Sequence, residues 1–269
     1  MAERMALLDE TGIDAEILSV SQAQPYLPAA AESAGAAQLA NDLYQELCSQ
    51  YPRRFYTFAA LPLPHIDASL EEIERIAASP YCVGFTMGCS VAGRPLDDPV
   101  FQPVFEELDH RHCVVFLHPV GREDISWLAD YNMAWLVGAP FEDTVTALRL
   151  VLSGTTRRYP HIRFIVPHLG GTLPFLSARI MRQNDDSTVI QELRKMYYDT
   201  VSGSPAALDI AAGAFGAGHL LFGTDYPYCT ATEFAHHLAY LGDAHLGEED
   251  LISIRGREAA QLLGISPPA

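Results

Sequence analysis

The sequence contains few basic residues. Lysine and arginine together number 17 against 34 aspartates and glutamates, so the 269-residue chain has a formal net charge of -17. Such an excess of negative charge repels phosphate backbones and argues against nucleic acid as a partner. An anionic small molecule can still bind where an arginine or a metal ion reverses the charge locally. We therefore expect a small-molecule substrate and no nucleic acid.

Cysteines and long apolar runs are also scarce. The five cysteines are scattered and include no C-x-x-C pair, which is typical of reduced thiols in a cytosolic protein. No apolar run is long enough to cross a bilayer. The first four residues lead into a helical stretch, whereas a secretory leader would begin with a basic segment followed by an apolar one. The sequence predicts a cytoplasmic protein that does not engage a membrane.

What the sequence does contain is an alternation of short apolar runs and helical stretches. The chain is 49% hydrophobic, and its length fits a single domain spanning residues 1–269. Most of the apolar runs are nearly continuous, as in strands that are buried on both faces. Strand–helix repeats of this kind predict a parallel sheet. The seven predicted strands are Glu16–Val20, Tyr56–Leu63, Val83–Met87, Cys113–His118, Ile162–Pro167, Met196–Thr200 and His219–Gly223.

Several helix boundaries can be predicted from local signals. Ser69-Leu-Glu-Glu72 has the pattern of a capping box, and Ser204-Pro205 places an N-cap before a proline at the first helical position. A helix over Thr144–Leu152 should end near a glycine, as should a final helix over Arg257–Leu263. Pro25–Ala37 is predicted to be a loosely structured loop over the mouth of the sheet.

Seven strand–helix units are one short of a closed (β/α)8 barrel. Only a helical stretch precedes the first predicted strand, so we expect a TIM barrel whose first strand is absent from this sequence. The alternative is an open doubly wound sheet. That alternative is disfavoured because no glycine-rich phosphate loop follows a strand near the N-terminus.

Three predicted strands end in side chains suited to chemistry. His118 and His168 end two of them, and Asp225 follows a third. Functional residues of a barrel lie at these carboxyl ends. Imidazole and carboxylate are ligands that suit zinc and also accept other divalent ions. One strand-end histidine alone is more often a packed or capping residue, but three such groups together favour a site.

Three further residues are candidates for substrate binding. Trp127 follows the His118 strand at helical spacing from other aromatics and could wall an aromatic pocket, although helix packing is an equal alternative. Arg122 could hold a substrate carboxylate, or it could be a solvated loop arginine. Phe85 could point into the mouth of the barrel or into its core.

The strand-end motifs resemble a known family. His118-Pro119, Pro167-His168-Leu-Gly-Gly171 and Phe222-Gly-Thr-Asp225-Tyr-Pro227 together resemble the amidohydrolase-related decarboxylases, which include aminocarboxymuconate-semialdehyde, γ-resorcylate and 6-methylsalicylate decarboxylases. The similarity is densest from Trp135 to Pro227 and covers most of the chain. It implies a TIM barrel of the metal-dependent hydrolase type that performs non-oxidative decarboxylation of a small aromatic or unsaturated acid.

The resemblance also implies roles for the site residues. His118 and Asp225 would bind a divalent metal, with zinc expected and manganese as the alternative. His168 would be the catalytic acid/base, and Asp225 could also shuttle a proton. The metal would supply Lewis acidity, and the histidine would move the proton. Members of the family tend to form dimers, so a homodimer is expected.

One departure from the family pattern affects these expectations. The family begins with an H-x-H strand that supplies two further metal ligands, and this sequence contains no such strand. Either the natural chain extends upstream of Met1, which we favour, or the metal has been lost. Two other functions therefore stay open. One is a metal-dependent hydrolase of an ester, lactone or amide, and the other is a catalytically silent binding protein.

Overall fold

Seven parallel strands form one sheet in the computed structural model, which describes residues 1–122, 124–183 and 188–266. Each predicted strand is present, with bounds that differ by a few residues from the expected ones. In chain order they are β1 (Glu16–Leu18), β2 (Phe55–Ala60), β3 (Cys82–Gly88), β6 (Val114–His118), β7 (Arg163–Val166), β8 (Tyr197–Asp199) and β9 (Leu220–Leu221), and β4 (Ser90–Val91) pairs with β5 (Arg94–Pro95) in a small antiparallel sheet.

The large sheet follows the chain order. Its strands run β1-β2-β3-β6-β7-β8-β9, and every pairing is parallel. Within the described residues β1 and β9 each pair with one neighbour, so the sheet is open between these two edges. The expected barrel architecture with one strand lacking is thereby confirmed.

Helices follow most of the strands and cover the outside of the sheet. Short 3₁₀ and π turns join several of them. The α-helices are α1 (Ala2–Thr11), α2 (Ala30–Gln50), α3 (Ile66–Ile76), α4 (Gln102–His110), α5 (Ala139–Leu152), α6 (Thr155–Arg158), α7 (Leu173–Gln183), α8 (Thr188–Leu193), α9 (Pro205–Phe215), α10 (Ala231–Ala239), α11 (Glu248–Ile252) and α12 (Glu258–Leu263).

Some of the predicted helix boundaries are confirmed. The Ser204 hydroxyl accepts a hydrogen bond from the Ala207 backbone N–H, so it caps α9 as expected. The last helix, α12, ends at Gly264, whose φ of 64° is the left-handed conformation that glycine adopts at little cost. None of the helices in the described part of the chain is long and apolar enough to cross a membrane.

Two predicted boundaries are wrong. The helix α3 begins at Ile66, and Ser69 lies inside it, where its hydroxyl donates to the His65 carbonyl at 2.9 Å instead of capping the helix. The segment Pro25–Ala37 is helical from Ala30 onward. Alanine has the highest helix propensity, so this alanine-rich stretch forms the first two turns of α2.

The side chains inside the sheet form an apolar floor below the strand ends. Phe58, Val114, Ile165 and Leu221 form one buried cluster. The Phe58 and Phe116 rings stack with their centroids 5.4 Å apart. A larger core lies between the sheet and its helices and includes Phe85. The strands are therefore buried on both faces, as their apolar sequences predict.

The turn after β7 approaches α5 so closely that only glycine fits. Gly171 has a φ of 62°, and a Cβ there would lie 1.9 Å from the Pro140 carbonyl oxygen. We predict that Gly171→Ala lowers the free energy of unfolding by about 3 kcal/mol through overpacking and backbone strain.

Gly213→Ala is the matched control, since Gly213 lies within α9 and an added Cβ meets nothing within 4 Å. This variant should gain up to about 1 kcal/mol from helix propensity. Urea unfolding of the two variants and the wild type checks both values. Equal stabilities for the two variants would contradict the close packing of the turn on α5.

Candidate active site

The three predicted site residues lie around one cavity at the carboxyl ends of the strands. His118 is the last residue of β6, His168 follows β7, and Asp225 follows β9. All three line a cavity of about 1350 Å³ that extends to the open edge between β1 and β9. The carboxyl ends of parallel strands meet at one edge of a sheet, and this explains why residues far apart in sequence converge here.

His118 is held as a neutral imidazole. Its Nδ1–H donates to the Pro119 carbonyl at 2.7 Å, so Nε2 carries the lone pair and accepts from the Ser21 hydroxyl at 2.8 Å. The residue is only 6% exposed. Burial lowers the pKa of His118 to about 4 because the charged form loses its hydration. At neutral pH its Nε2 is therefore a lone-pair donor.

The loop after His118 is anchored by a neighbouring helix. Glu142, in the first turn of α5, accepts hydrogen bonds from the backbone N–H groups of Val120 at 3.1 Å and Gly121 at 3.0 Å. A carboxylate that receives two backbone donors fixes the course of a loop at little entropic cost. Glu142 thus stabilises the position of His118 without contacting its ring.

His168 faces the cavity from a turn that two carboxylates support. Its ring Nδ1 lies 2.8 Å from the Oδ2 atom of Asp143 in α5, and its backbone N–H donates to Oδ1 of Asp199 at 2.8 Å. Both His168 and Leu169 have a φ of 55°, a left-handed conformation that is costly for residues with a side chain. The hydrogen bond to Asp199 helps to hold this turn.

The charges around His168 favour its protonated form. Burial alone would lower its pKa, but the hydrogen bond and charge of Asp143, together with the charges of Asp199 and Asp225, raise it to about 9. Burial also raises the pKa of Asp199 to about 6. His168 therefore holds a proton at neutral pH while His118 does not, a division typical of acid/base chemistry.

Asp143 and Asp199 were missed as site residues by the sequence analysis. Asp143 is fully buried, and it shares the inward face of α5 with Ala147, Leu150 and Val151. A carboxylate at a core position of an amphipathic helix is a signal that could have identified it. Asp199 ends a buried strand, and the rule that singled out Asp225 applies to it equally.

The described residues do not complete a metal site. They contain no group of three or more His, Cys, Asp or Glu side chains arranged to hold an ion. His118 Nε2 and the Asp225 carboxylate are suitable donors, whereas a protonated His168 is not. Tight sites use three or four protein ligands, so the donor set available in this part of the chain falls short of one.

The three predicted substrate-binding residues lie away from the cavity. The Trp127 side chain is on the surface, with 73% of the residue exposed. Arg122 forms a bidentate ion pair with Asp124, with distances of 2.7 and 2.8 Å. Phe85 packs in the core between sheet and helices. The structure therefore does not bring these residues to the site, since each side chain is directed to solvent, to a local ion pair or to the core.

The opposite pKa shifts of the two histidines predict opposite effects of pH on stability. The pKa of His168 is about 9 in the folded chain against 6.5 for the free side chain. Its protonation therefore stabilises the fold fully below pH 6.5, and this contribution is lost as pH rises through 9. We predict that the stability difference between wild type and His168→Gln shrinks over this range in urea unfolding experiments.

His118→Gln is the control for that measurement. The folded pKa of His118 is about 4, so its contribution is present above pH 6.5 and is lost only as pH falls towards 4. The stability difference between wild type and His118→Gln should therefore stay constant from about pH 6.5 to 9. A constant difference for His168→Gln over the same interval would contradict the charge assignment.

Comparisons with known proteins agree with this arrangement. A γ-resorcylate decarboxylase from Rhizobium sp. (strain MTP-10005) is 30% identical over 97% of this chain and 85% of its own length. The structure of a 2,6-dihydroxybenzoate decarboxylase complexed with 2,6-dihydroxybenzoate has a TM-score of 0.87 and 26% identity, covering 97% of this chain and 87% of that one. Both relatives are decarboxylases, in agreement with the family that the strand-end motifs resemble.

A third comparison includes a metal. A dihydroxybenzoic acid decarboxylase from Polaromonas sp. JS666, solved with manganese and the inhibitor 2-nitroresorcinol, has a TM-score of 0.83, 24% identity, and coverage of 97% of this chain and 85% of that one. At this identity the likeness establishes the fold. The family model named Amidohydrolase matches residues 1–265. The chain therefore belongs to the amidohydrolase family, in a group whose similar members include decarboxylases of aromatic acids.

Proposed function

We propose that this protein removes carbon dioxide from a small aromatic acid without oxidation, with His168 as the proton donor. The observation that carries the proposal is a histidine that lines an apolar-walled cavity and whose Nδ1 lies 2.8 Å from the buried Asp143 carboxylate, a partner that favours the protonated ring. A hydroxylated benzoate such as γ-resorcylate is the favoured substrate class, supported by the names of the similar decarboxylases.

The reaction needs one proton and no redox partner. The ring carbon that bears the carboxylate accepts a proton from His168 Nε2. The bond to the carboxylate then breaks, its electron pair returns to the ring, and carbon dioxide leaves. A positioned acid of this kind contributes about 10²–10⁴-fold to a rate. The proton must then be replaced, and Asp225, which lines the same cavity, is our candidate for passing it from solvent to His168.

Two parts of the site would bind the substrate. Phe58, Phe116, Ile165 and Leu221 supply an apolar floor. The carboxylate of the substrate would lie near the His168 imidazolium. Asp199 and Asp225 repel an anion, so substrate binding favours a state in which this negative charge is neutralised.

A divalent metal is the remaining element of the proposal. Manganese or zinc would neutralise that charge and polarise a substrate oxygen, and His118 and Asp225 are the donors that the described part of the chain offers. Because two donors fall short of a tight site, we assign the proton chemistry to side chains alone. We also propose a homodimer in the cytoplasm, on the family resemblance; light scattering of the purified protein tests the dimer.

Incubation with γ-resorcylate tests the activity. We expect resorcinol and carbon dioxide in equal amounts, measured by chromatography and by trapping of the gas. His168→Gln should lower kcat by about 10²–10⁴-fold. His245→Gln, which changes a histidine with a 94% exposed side chain, should leave kcat unchanged.

Two results would contradict the proposal. Hydrolysis of ester or lactone analogues without release of carbon dioxide from a panel of hydroxybenzoates would favour the hydrolase. Binding of these acids without any turnover, and with the same affinity in His168→Gln, would favour a silent binding protein.

Elemental analysis tests the metal. With two donors, we expect less than one equivalent of manganese or zinc to remain after dialysis, because weakly held ions exchange with the buffer. Added Mn²⁺ should bind in calorimetry with an affinity that falls in His118→Ala. One tightly held equivalent that is lost in both His118→Ala and Asp225→Ala would show that further ligands complete the site.

A further inference from the structure

We propose that Asp143 is a positioning residue of the reaction, which holds the His168 ring so that Nε2 faces the substrate. This inference rests on the proposed function of His168 as the proton donor. Asp143 contributes no atom to the reacting centre. It acts through the 2.8 Å hydrogen bond between its Oδ2 atom and Nδ1 of His168.

Two carboxylates hold different parts of His168. Asp199 binds the backbone N–H of His168 and so fixes the main chain. The main chain alone does not fix the ring, because rotation about the Cβ–Cγ bond is a soft, roughly two-fold torsion in histidine. Asp143 comes from α5, a different element, and is the group that hydrogen-bonds the ring itself.

A flipped His168 ring would not present a nitrogen to the substrate. Turning the imidazole by half a turn exchanges Nδ1 with Cδ2 and Nε2 with Cε1. A carbon would then occupy the place from which the proton is donated, and Nδ1 would lose its carboxylate. The hydrogen bond to Asp143 selects against this orientation, since the flipped ring would leave a buried carboxylate without its main partner.

A carboxylate is costly at the position of Asp143. Asp143 is fully buried, and burying an ionised carboxylate is unfavourable unless it is paired. Among the described residues, the donor to its other oxygen, Oδ1, is the Cys89 thiol at 3.5 Å, a weak donor at long range. At a buried position of a packed helix such as α5, an apolar side chain of similar volume would be at least as stable as a carboxylate. We therefore attribute the carboxylate at this position to its hydrogen bond with His168.

Proton NMR of uniformly ¹⁵N-labelled protein tests the inference without substrate. A ring N–H that donates to a buried carboxylate should give a downfield resonance that exchanges slowly with water. We expect this resonance in the wild type, and its absence in His168→Gln assigns it. In Asp143→Asn it should shift upfield or vanish, because a neutral amide is a weaker acceptor.

Glu142→Gln is the matched control, since it removes the adjacent carboxylate on the same helix, which binds Val120 and Gly121 and not His168. It should leave the His168 resonance in place. If Asp143→Asn does not fold, Asp143→Ser replaces it. A resonance that is unchanged in the Asp143 variant, or missing from the wild type, would overturn the inference.

Kinetics provide the second readout. With γ-resorcylate as the probe, Asp143→Asn should lower kcat by about 10²-fold, the loss typical of a misplaced reacting group, and should change KM by less than about twofold. An unchanged kcat, or a rise in KM alone, would count against positioning. If the wild type does not turn over this acid, the proposed function fails for it, whereas the NMR result still decides whether Asp143 orients the ring.

Discussion

The hydrogen bond between Asp143 and His168 is the interaction on which the site depends. Each group would lose its charge if it were buried here alone, because burial lowers the pKa of an imidazole and raises the pKa of a carboxyl group. Together they form a pair 2.8 Å apart that tolerates burial. The surrounding chain is built to bring them together. Gly171 lets the turn after β7 approach Pro140 at the start of α5, and the left-handed backbone at His168 directs its ring towards that helix.

The two histidines show how environment separates side chains of the same type. His118 is surrounded by neutral partners, a carbonyl and a hydroxyl, so burial is the dominant effect and the ring stays neutral. His168 is partly buried, with 19% of its side chain exposed, and it lies among carboxylates whose attraction outweighs the loss of hydration. Their rings are 6.4 Å apart between centroids. One cavity therefore contains a lone-pair donor and a proton donor side by side, which is what metal-assisted or acid-catalysed decarboxylation requires.

The open edge of the sheet lies at the same cavity as the incomplete set of metal donors. The cavity reaches from the His118, His168 and Asp225 side chains to the gap between β1 and β9. A strand paired to both edges would close the barrel, and side chains at its carboxyl end would face the same cavity. Among the described residues, the Ser21 hydroxyl donates a hydrogen bond to Nε2 of His118.

The sequence predicted the parts of this arrangement that depend on local pattern. Apolar runs identified all seven strands, and the rule that barrels carry function at strand ends identified His118, His168 and Asp225. The strand-end rule does not identify Asp143, because this residue lies on a helix. It belongs to the site through a contact between α5 and the turn after β7, 25 residues apart. Trp127 failed for the opposite reason. Its spacing from other aromatics predicted a helix, but the residue lies in a turn before the helical segment Ala134–Gly138, and its side chain is exposed to solvent.

A crystal structure of the protein with 2-nitroresorcinol would test the central claim most directly. This compound carries a nitro group in place of the carboxylate of γ-resorcylate. The account predicts that it binds in the cavity above Phe58 and Phe116, with the substituted ring carbon about 3–3.5 Å from Nε2 of His168 and Nδ1 still bound to Asp143. A ligand bound outside this cavity, or a His168 ring whose Nε2 points away from it, would contradict the account.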